Sequence, residues 1–364
     1  MSDRTGIEWT EATWNPLRGC SRVSEGCRHC YAEGIAARFS APGQPYDGLA
    51  RLVTRPDGTS EARWAGKVVL APESVLQQPL RWTRPRLIFV NSMSDLFHEA
   101  VPDEWIDQVF AVMAAATFHT FQILTKRPER MRAYISSPAT VDRILMRARE
   151  LDPALWYLDW PMPNVWLGTS IEDQPTADTR IPYLRRTPAA VRFVSAEPLL
   201  GPVDLFAALG VSVHHHPAIR QTTALNALVI TAAGRALQES GGSRIHQVIV
   251  GGESGRRARP MHPAWARLLR DQCKAGGIAF FFKQWGEWTD ADVAFDGAAP
   301  HPLNFTDAGR LAEQLGMPFE HHSDGSTLVR VGKRKAGRLL DGVLHDAMPA
   351  PLNPQSASHE RIWA

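Results

Sequence analysis

The chain is poor in cysteine, poor in net charge and free of long apolar runs, and each shortage removes a class of function. Its four cysteines are too few and too unevenly placed for a secreted domain built on scattered disulfides. Lys and Arg total 40 against 38 Asp and Glu, so no overall field advertises nucleic acid, an acidic partner or a membrane surface. Any such binding rests on a local patch. No apolar stretch reaches transmembrane length, and the opening residues, Met1 to Trp9, have neither the basic start nor the apolar middle of a secretory leader. The expectation is a cytoplasmic protein without a membrane partner. A repeat of fixed period is also absent.

What remains is ample for a core, with 364 residues of which 44% are hydrophobic. Short β-branched runs alternate with amphipathic stretches, the rhythm of βα units on a parallel sheet. Strands are expected at Leu87–Asn91, His119–Thr125, Asn164–Ser170, Val191–Glu197, Gln247–Gly252 and Ile278–Gln284, with a seventh near Trp14–Gly19. Helices are expected at Pro102–Ala116, Pro128–Ser136, Pro175–Arg186 and Pro263–Ala275. The fold class is therefore α/β, a partial or complete parallel (β/α) barrel over residues 1–288. An inserted excursion occupies about 210–244, and an irregular extension over 289–364 packs on the barrel.

Barrel function sits in the loops after the strand C-termini. Those loops carry Cys20 to Cys30, Ser92 to Asp95, Thr125-Lys126-Arg127, Ser170 to Asp173, Ser195 to Glu197, Gly252-Glu253-Ser254 and Lys283-Gln284-Trp285. The cysteine loop is the most specific signal. Cys20, six residues, Cys27, two residues and Cys30 supply three thiolates from one loop, as a cubane iron–sulfur cluster needs when one iron is to stay free of protein. Two other readings stand beside it: a zinc site completed by His29, His98 or Cys273, and ordinary buried thiols. Cys273 falls in a helical pattern, where a lone cysteine is a small buried hydrophobe.

Gly19-Cys20, Glu25 to Ala32, Ser92 to Asp95, Leu124 to Pro128, Gly251 to Gly255 and Phe282 to Gly286 resemble the phage-associated three-Cys-motif family of unknown function, of the DUF5131 type. That family is found in phages, prophages and bacteria and is similar to the radical S-adenosylmethionine enzymes. The resemblance implies a radical-type barrel, a [4Fe-4S] cluster on Cys20, Cys27 and Cys30, and S-adenosylmethionine as cofactor. The usual radical-enzyme spacing is three and two residues with an aromatic before the last cysteine, whereas here the first gap is six and His29 takes that place. Gln247 to Glu253 is similar to the strand by which such enzymes pack backbone against adenine.

On this reading Ser92, Ser94 and Asp95 accept the amino group of the methionine moiety, although Asp95 reads equally as a helix N-cap. Thr125, Lys126 and Ser170 extend the cofactor set, Lys126 and Arg127 taking a carboxylate or phosphate or simply facing solvent. Glu172, Glu197 and Glu253 point into one cavity, where buried carboxylates suit ribose hydroxyls or proton transfer. The adenine rests on Val250, Gly251 and Gly252. Lys283, Gln284, Trp285 and Arg256 are substrate candidates, with Arg256, Arg257 and Arg259 the best basic patch for a phosphate backbone. Among twelve tryptophans, Trp9, Trp14, Trp285 and Trp288 either stack on bases near the mouth or pack core and rim. His214-His215-His216 reads as surface loop rather than metal tract.

The leading expectation is an enzyme that cleaves S-adenosylmethionine reductively, taking electrons from a donor and acting on a nucleotide or nucleic acid. The rival from another class is a non-catalytic zinc- or iron–sulfur-stabilised phage protein that binds a nucleic acid or a partner protein.

Overall fold

A computed structural model of the protein describes residues 5–209, 244–295 and 305–349. Seven strands form its central sheet: β1 (Ala12–Trp14), β2 (Leu87–Val90), β3 (Thr120–Thr125), β4 (Val165–Ile171), β5 (Val191–Ala196), β6 (Gln247–Gly251) and β7 (Ala279–Gln284). They lie side by side in sequence order and every pairing is parallel. Among the described residues β1 and β7 do not pair, so the barrel is partial. Around it run α1 (Tyr31–Arg38), α2 (Asp103–Ala115), α3 (Pro128–Ile135), α4 (Pro138–Leu151), α5 (Gln174–Arg186) and α6 (Pro263–Gly276).

Strand periodicity of two sorts the side chains. Ile88, Val90, Phe121, Ile123, Leu167, Val194, Val248, Val250 and Phe282 face outward and join the helices in the main core. Phe89, Trp166, Val191, Phe193, Ile249 and Phe281 face inward and close on Trp9, whose ring lies 4.8 Å from Phe89 and 6.0 Å from Phe193. This plug is the apolar floor of the barrel. Two residues beyond Phe89, Leu124, Phe193, Ile249 and Phe281 the inward positions become Asn91, Lys126, Ser195, Gly251 and Lys283, and four beyond Trp166, past Gly168, comes Ser170. A polar chamber therefore sits directly on a dry floor.

The first strand ends at Trp14 rather than running on to Gly19. Asn15 and Pro16 turn the chain, and Leu17–Arg18 pairs antiparallel with Val69–Leu70 instead. Helices α1 and α4 and a hairpin at Ala50–Thr54 and Ser60–Trp64 were not anticipated. After β7 the chain builds a three-stranded antiparallel sheet from Trp288–Asp290, Phe319–His321 and Thr327–Arg330, then a short pair at Leu339–Leu340 and Val343–Leu344. The segment beyond lies along the open edge of β7, with Phe282 donating its N–H to the His345 carbonyl at 2.8 Å. Covering that edge removes a template for aggregation. The expected insertion, including His214 to His216, lies outside the described residues except for Arg244. Among the described residues no helix is long and apolar enough to cross a membrane.

Candidate functional site

A cavity of about 460 Å3 opens above the plug. Cys20, Cys27 and Cys30 line one side of it, and Ser92, Ser94, Asp95, Thr125, Lys126, Ser170, Glu197, Gly252, Glu253 and Lys283 line the rest. The strand ends thus bring most of the anticipated residues together. Asn91, at the end of β2, takes a left-handed backbone with φ 63°, which asparagine tolerates, and its side-chain oxygen accepts the Leu17 N–H.

The cysteine loop is clamped at nearly every step. Arg127 donates to the Ser21 hydroxyl at 2.8 Å, and that hydroxyl also meets His98 Nε2 at 2.8 Å. Arg22 grips Glu33 of α1 at 2.9 Å and Glu61 of the hairpin at 2.6 Å. The Ser24 hydroxyl donates to Glu172 at 3.0 Å. Arg259 reaches the Glu25 carbonyl at 2.9 Å while holding Glu253 at 2.7 Å, and His29 Nδ1 lies 3.1 Å from the same carboxylate. Charge-assisted bonds of this kind are short and strong, so the loop is fixed by the barrel itself.

Glu172 is the seat of the loop rather than a wall of the cavity. Asp173 caps α5 reciprocally with Thr176, which sets Glu172 just before the helix, and Arg180 reaches back to it at 3.0 Å. Lys126 pairs with it from above. Burial pushes the Glu172 carboxyl up, but Lys126 and Arg180 outweigh it and hold the group below the usual carboxylate range. Gly26 rests on this carboxylate so closely that a Cβ there would overlap the Glu172 side chain. Gly26→Ala should therefore lift the loop, lower stability by about 1–3 kcal/mol as overpacking does, and, on the iron–sulfur expectation, reduce iron loading several-fold. Thermal melts and iron content per chain check this, and parental loading in the variant would remove the contact from the argument.

Burial first, then the Asp95 carboxylate, push the Cys20 thiol up to about 12, against the pull of Arg127 and with the other two cysteines adding to the rise. Burial likewise raises Cys30, with backbone hydrogen bonds opposing and Glu33 and Cys27 adding to the rise. Burial thus disfavours the thiolate at Cys20 and Cys30, and a metal centre is a cation that would oppose that effect. The donor set fits one. Among the described residues, no three His, Cys, Asp or Glu side chains converge on the position of a single metal ion.

A family model described as "Protein of unknown function (DUF5131)" matches residues 4–349. The chain belongs to that family. No curated protein gives a significant match to it. Among solved structures this DUF5131 chain is similar to a cysteine-to-serine mutant of spore photoproduct lyase, at 11% identity over 94% of this chain and 74% of that chain, TM-score 0.36. It is also similar to the lyase complexed with dinucleoside spore photoproduct, at 10% identity over 90% and 70%, TM-score 0.34. A double mutant with bound AdoMet and dinucleoside spore photoproduct matches at 10% identity over 88% and 68%, TM-score 0.33.

Several anticipated residues of the DUF5131 chain are committed to protein partners, and some lie outside the cavity. Asp95 is saturated: it accepts from the Thr125 hydroxyl at 2.6 Å, Phe97 N–H at 3.0 Å, Lys126 N–H at 3.1 Å and Arg127 at 3.0 Å. Ser92 and Ser94 line the cavity, but their hydroxyls are taken up in tying loops, donating to the Asn15 side-chain oxygen and to the Leu17 carbonyl. Val250 points into the outer core, so its side chain offers no surface for adenine, whereas Gly252 lines the cavity with the Trp285 carbonyl filling the space on its Cβ side. Gly251 faces the Glu197 side chain. Gln284 is buried on the Gly252 carbonyl, the Trp285 indole donates to Leu339, and Arg256 is exposed on its loop outside the cavity. Trp14 lies in the outer core, and Trp288 donates to the Ala258 carbonyl.

Sequence reasoning missed Asn15, Arg22, Tyr31, Glu33, Glu61 and Trp64. The Pro56-Asp57-Gly58 turn between two short runs was the legible signal for the hairpin. Inside the cavity Lys283 Nζ meets Glu197 at 2.6 Å.

Proposed function

We propose that the protein is an iron–sulfur enzyme of the radical S-adenosylmethionine type, with a [4Fe-4S] cluster held by Cys20, Cys27 and Cys30. The observation that carries this reading is the mounting of three thiols from one clamped loop on a cavity whose floor is apolar and whose rim is polar. A cubane binds its thiolates through different irons, so the three need not converge on one point. When bound, the cluster supplies the electron for reductive cleavage of S-adenosylmethionine, the source of a 5′-deoxyadenosyl radical.

The chain's own residues supply placement and shielding. Ser170 and Ser195 offer hydroxyls to the cofactor, Lys283 a cation for its carboxylate, and Glu197, released from Lys283, an acceptor for ribose hydroxyls. Trp9, Phe89 and Phe193 exclude water from below. An external donor protein delivers the electron, and the substrate is a nucleotide or nucleic acid. Anaerobic reconstitution with iron and sulfide, reduction in the presence of S-adenosylmethionine and chromatography of the products form the test. The expected result is 5′-deoxyadenosine; its absence from a fully loaded, reduced sample defeats the reading.

A further inference from the structure

We propose that the arginine-covered face of the Ala50–Trp64 hairpin, continued by the arginine loop at 255–259, binds the phosphodiester backbone of a nucleic acid at the mouth of the cavity. This rests on the reading of the cavity as the reacting site and names its substrate class.

Arg51 and Arg63 are direct partners across the hairpin, and both are exposed. Like charges placed opposite one another destabilise a strand pair unless an anion lies between them. On the same face Glu61 is buried under guanidinium groups from three chain segments: Arg22 at 2.6 Å, Arg55 in contact, Arg63 at 3.5 Å and Arg257 at 3.9 Å. The Arg257 side chain also donates to Thr59 at the hairpin turn, which joins loop and hairpin in one surface. Four guanidiniums thus gather on Glu61 with the exposed Arg51 beside Arg63, while Glu33 takes Arg22 and the Trp64 N–H and Asp57 lies at the turn, so five arginines share three carboxylates. These neighbours hold the Glu61 carboxyl down to about 2 in spite of burial, so it stays charged and organises the arginines at any working pH.

The excess positive charge is carried by arginine, whose planar fork matches phosphate oxygens. Two aromatic residues distinguish a nucleic acid from an acidic protein. Trp64, the last residue of the hairpin, and Tyr31, more than half exposed, both line the cavity, where a base leaving the strand can stack. Arg22 lines it too, so backbone surface and reacting chamber share a side chain.

The test is fluorescence anisotropy of short labelled single-stranded DNA and RNA over a range of salt, with polyglutamate as the acidic-protein control. The parent should bind at least one oligonucleotide with affinity falling as salt rises. Arg51→Ala/Arg63→Ala should weaken it at least tenfold and reduce the log–log salt slope by about 2. Parental affinity and slope in the double variant overturn the proposal, as does binding of polyglutamate in place of both nucleic acids. The measurement is repeated on Cys27→Ala. Cofactor cleavage without oligonucleotide binding defeats this inference alone, and oligonucleotide binding without cleavage defeats the proposed chemistry alone.

Discussion

Cys20→Ala, Cys27→Ala and Cys30→Ala should each abolish iron and sulfide incorporation, whereas Cys273→Ala should leave it unchanged. The first three thiols line one cavity and influence one another electrostatically, so they act as a unit. Cys273 is fully buried in α6 among apolar side chains, where burial alone pushes its thiol far above the ordinary range. Elemental analysis of anaerobically reconstituted protein reads the outcome directly. Loss of iron in Cys273→Ala, or full loading in any one of the other three variants, would mean that the ligand set is wrong.

Asp95→Ala should cost about 3 kcal/mol of stability, the low end for breaking a buried pair, because it leaves the buried Arg127 guanidinium with the exposed Glu99 as its one carboxylate. The effect reaches further than one ion pair. Arg127 also holds Ser21, the residue after Cys20, and Glu99 at 2.7 Å. The variant should therefore lose cysteine-loop order together with stability. A paired replacement, Asp95→Leu with Arg127→Met, removes both charges and should recover much of the loss, although the hydrogen bonds to Thr125 and Ser21 stay broken. Urea unfolding of the single and double variants provides the numbers. A parental midpoint for Asp95→Ala would show that Asp95 is not the hub its four hydrogen bonds describe.

The strands after residue 86 were legible because each is a short run of β-branched and aromatic residues closed by polar ones. Parallel pairing buries both faces of such runs, and their burial patterns are nearly continuous. The loops of the site were legible for the same reason, since the barrel rule places function after those strand ends. Partnerships were not. Lys283 turns inward to Glu197 while Gln284, one residue later, turns the other way, a distinction that depends on register to a single residue. Asp95 could not be told from a ligand-binding carboxylate either. Its four donors come from residues 97, 125, 126 and 127, most of them some thirty positions away, and only the parallel pairing of β2 with β3 brings them beside it.

On the proposed function, a cysteine loop held by Arg22, Arg127 and Arg259 separates folding from metallation. In small zinc domains ligand residues become ordered only as the metal arrives, so removing the metal unfolds the chain. Here the contacts that set the loop are ion pairs and hydrogen bonds to α1, to the hairpin and to the barrel, and none of them passes through a thiol. The proposed function then predicts that iron and sulfide enter a loop already set by these contacts, late in maturation. On that reading a centre destroyed by oxygen is rebuilt on the same molecule, without passing through the unfolded state or calling for new synthesis.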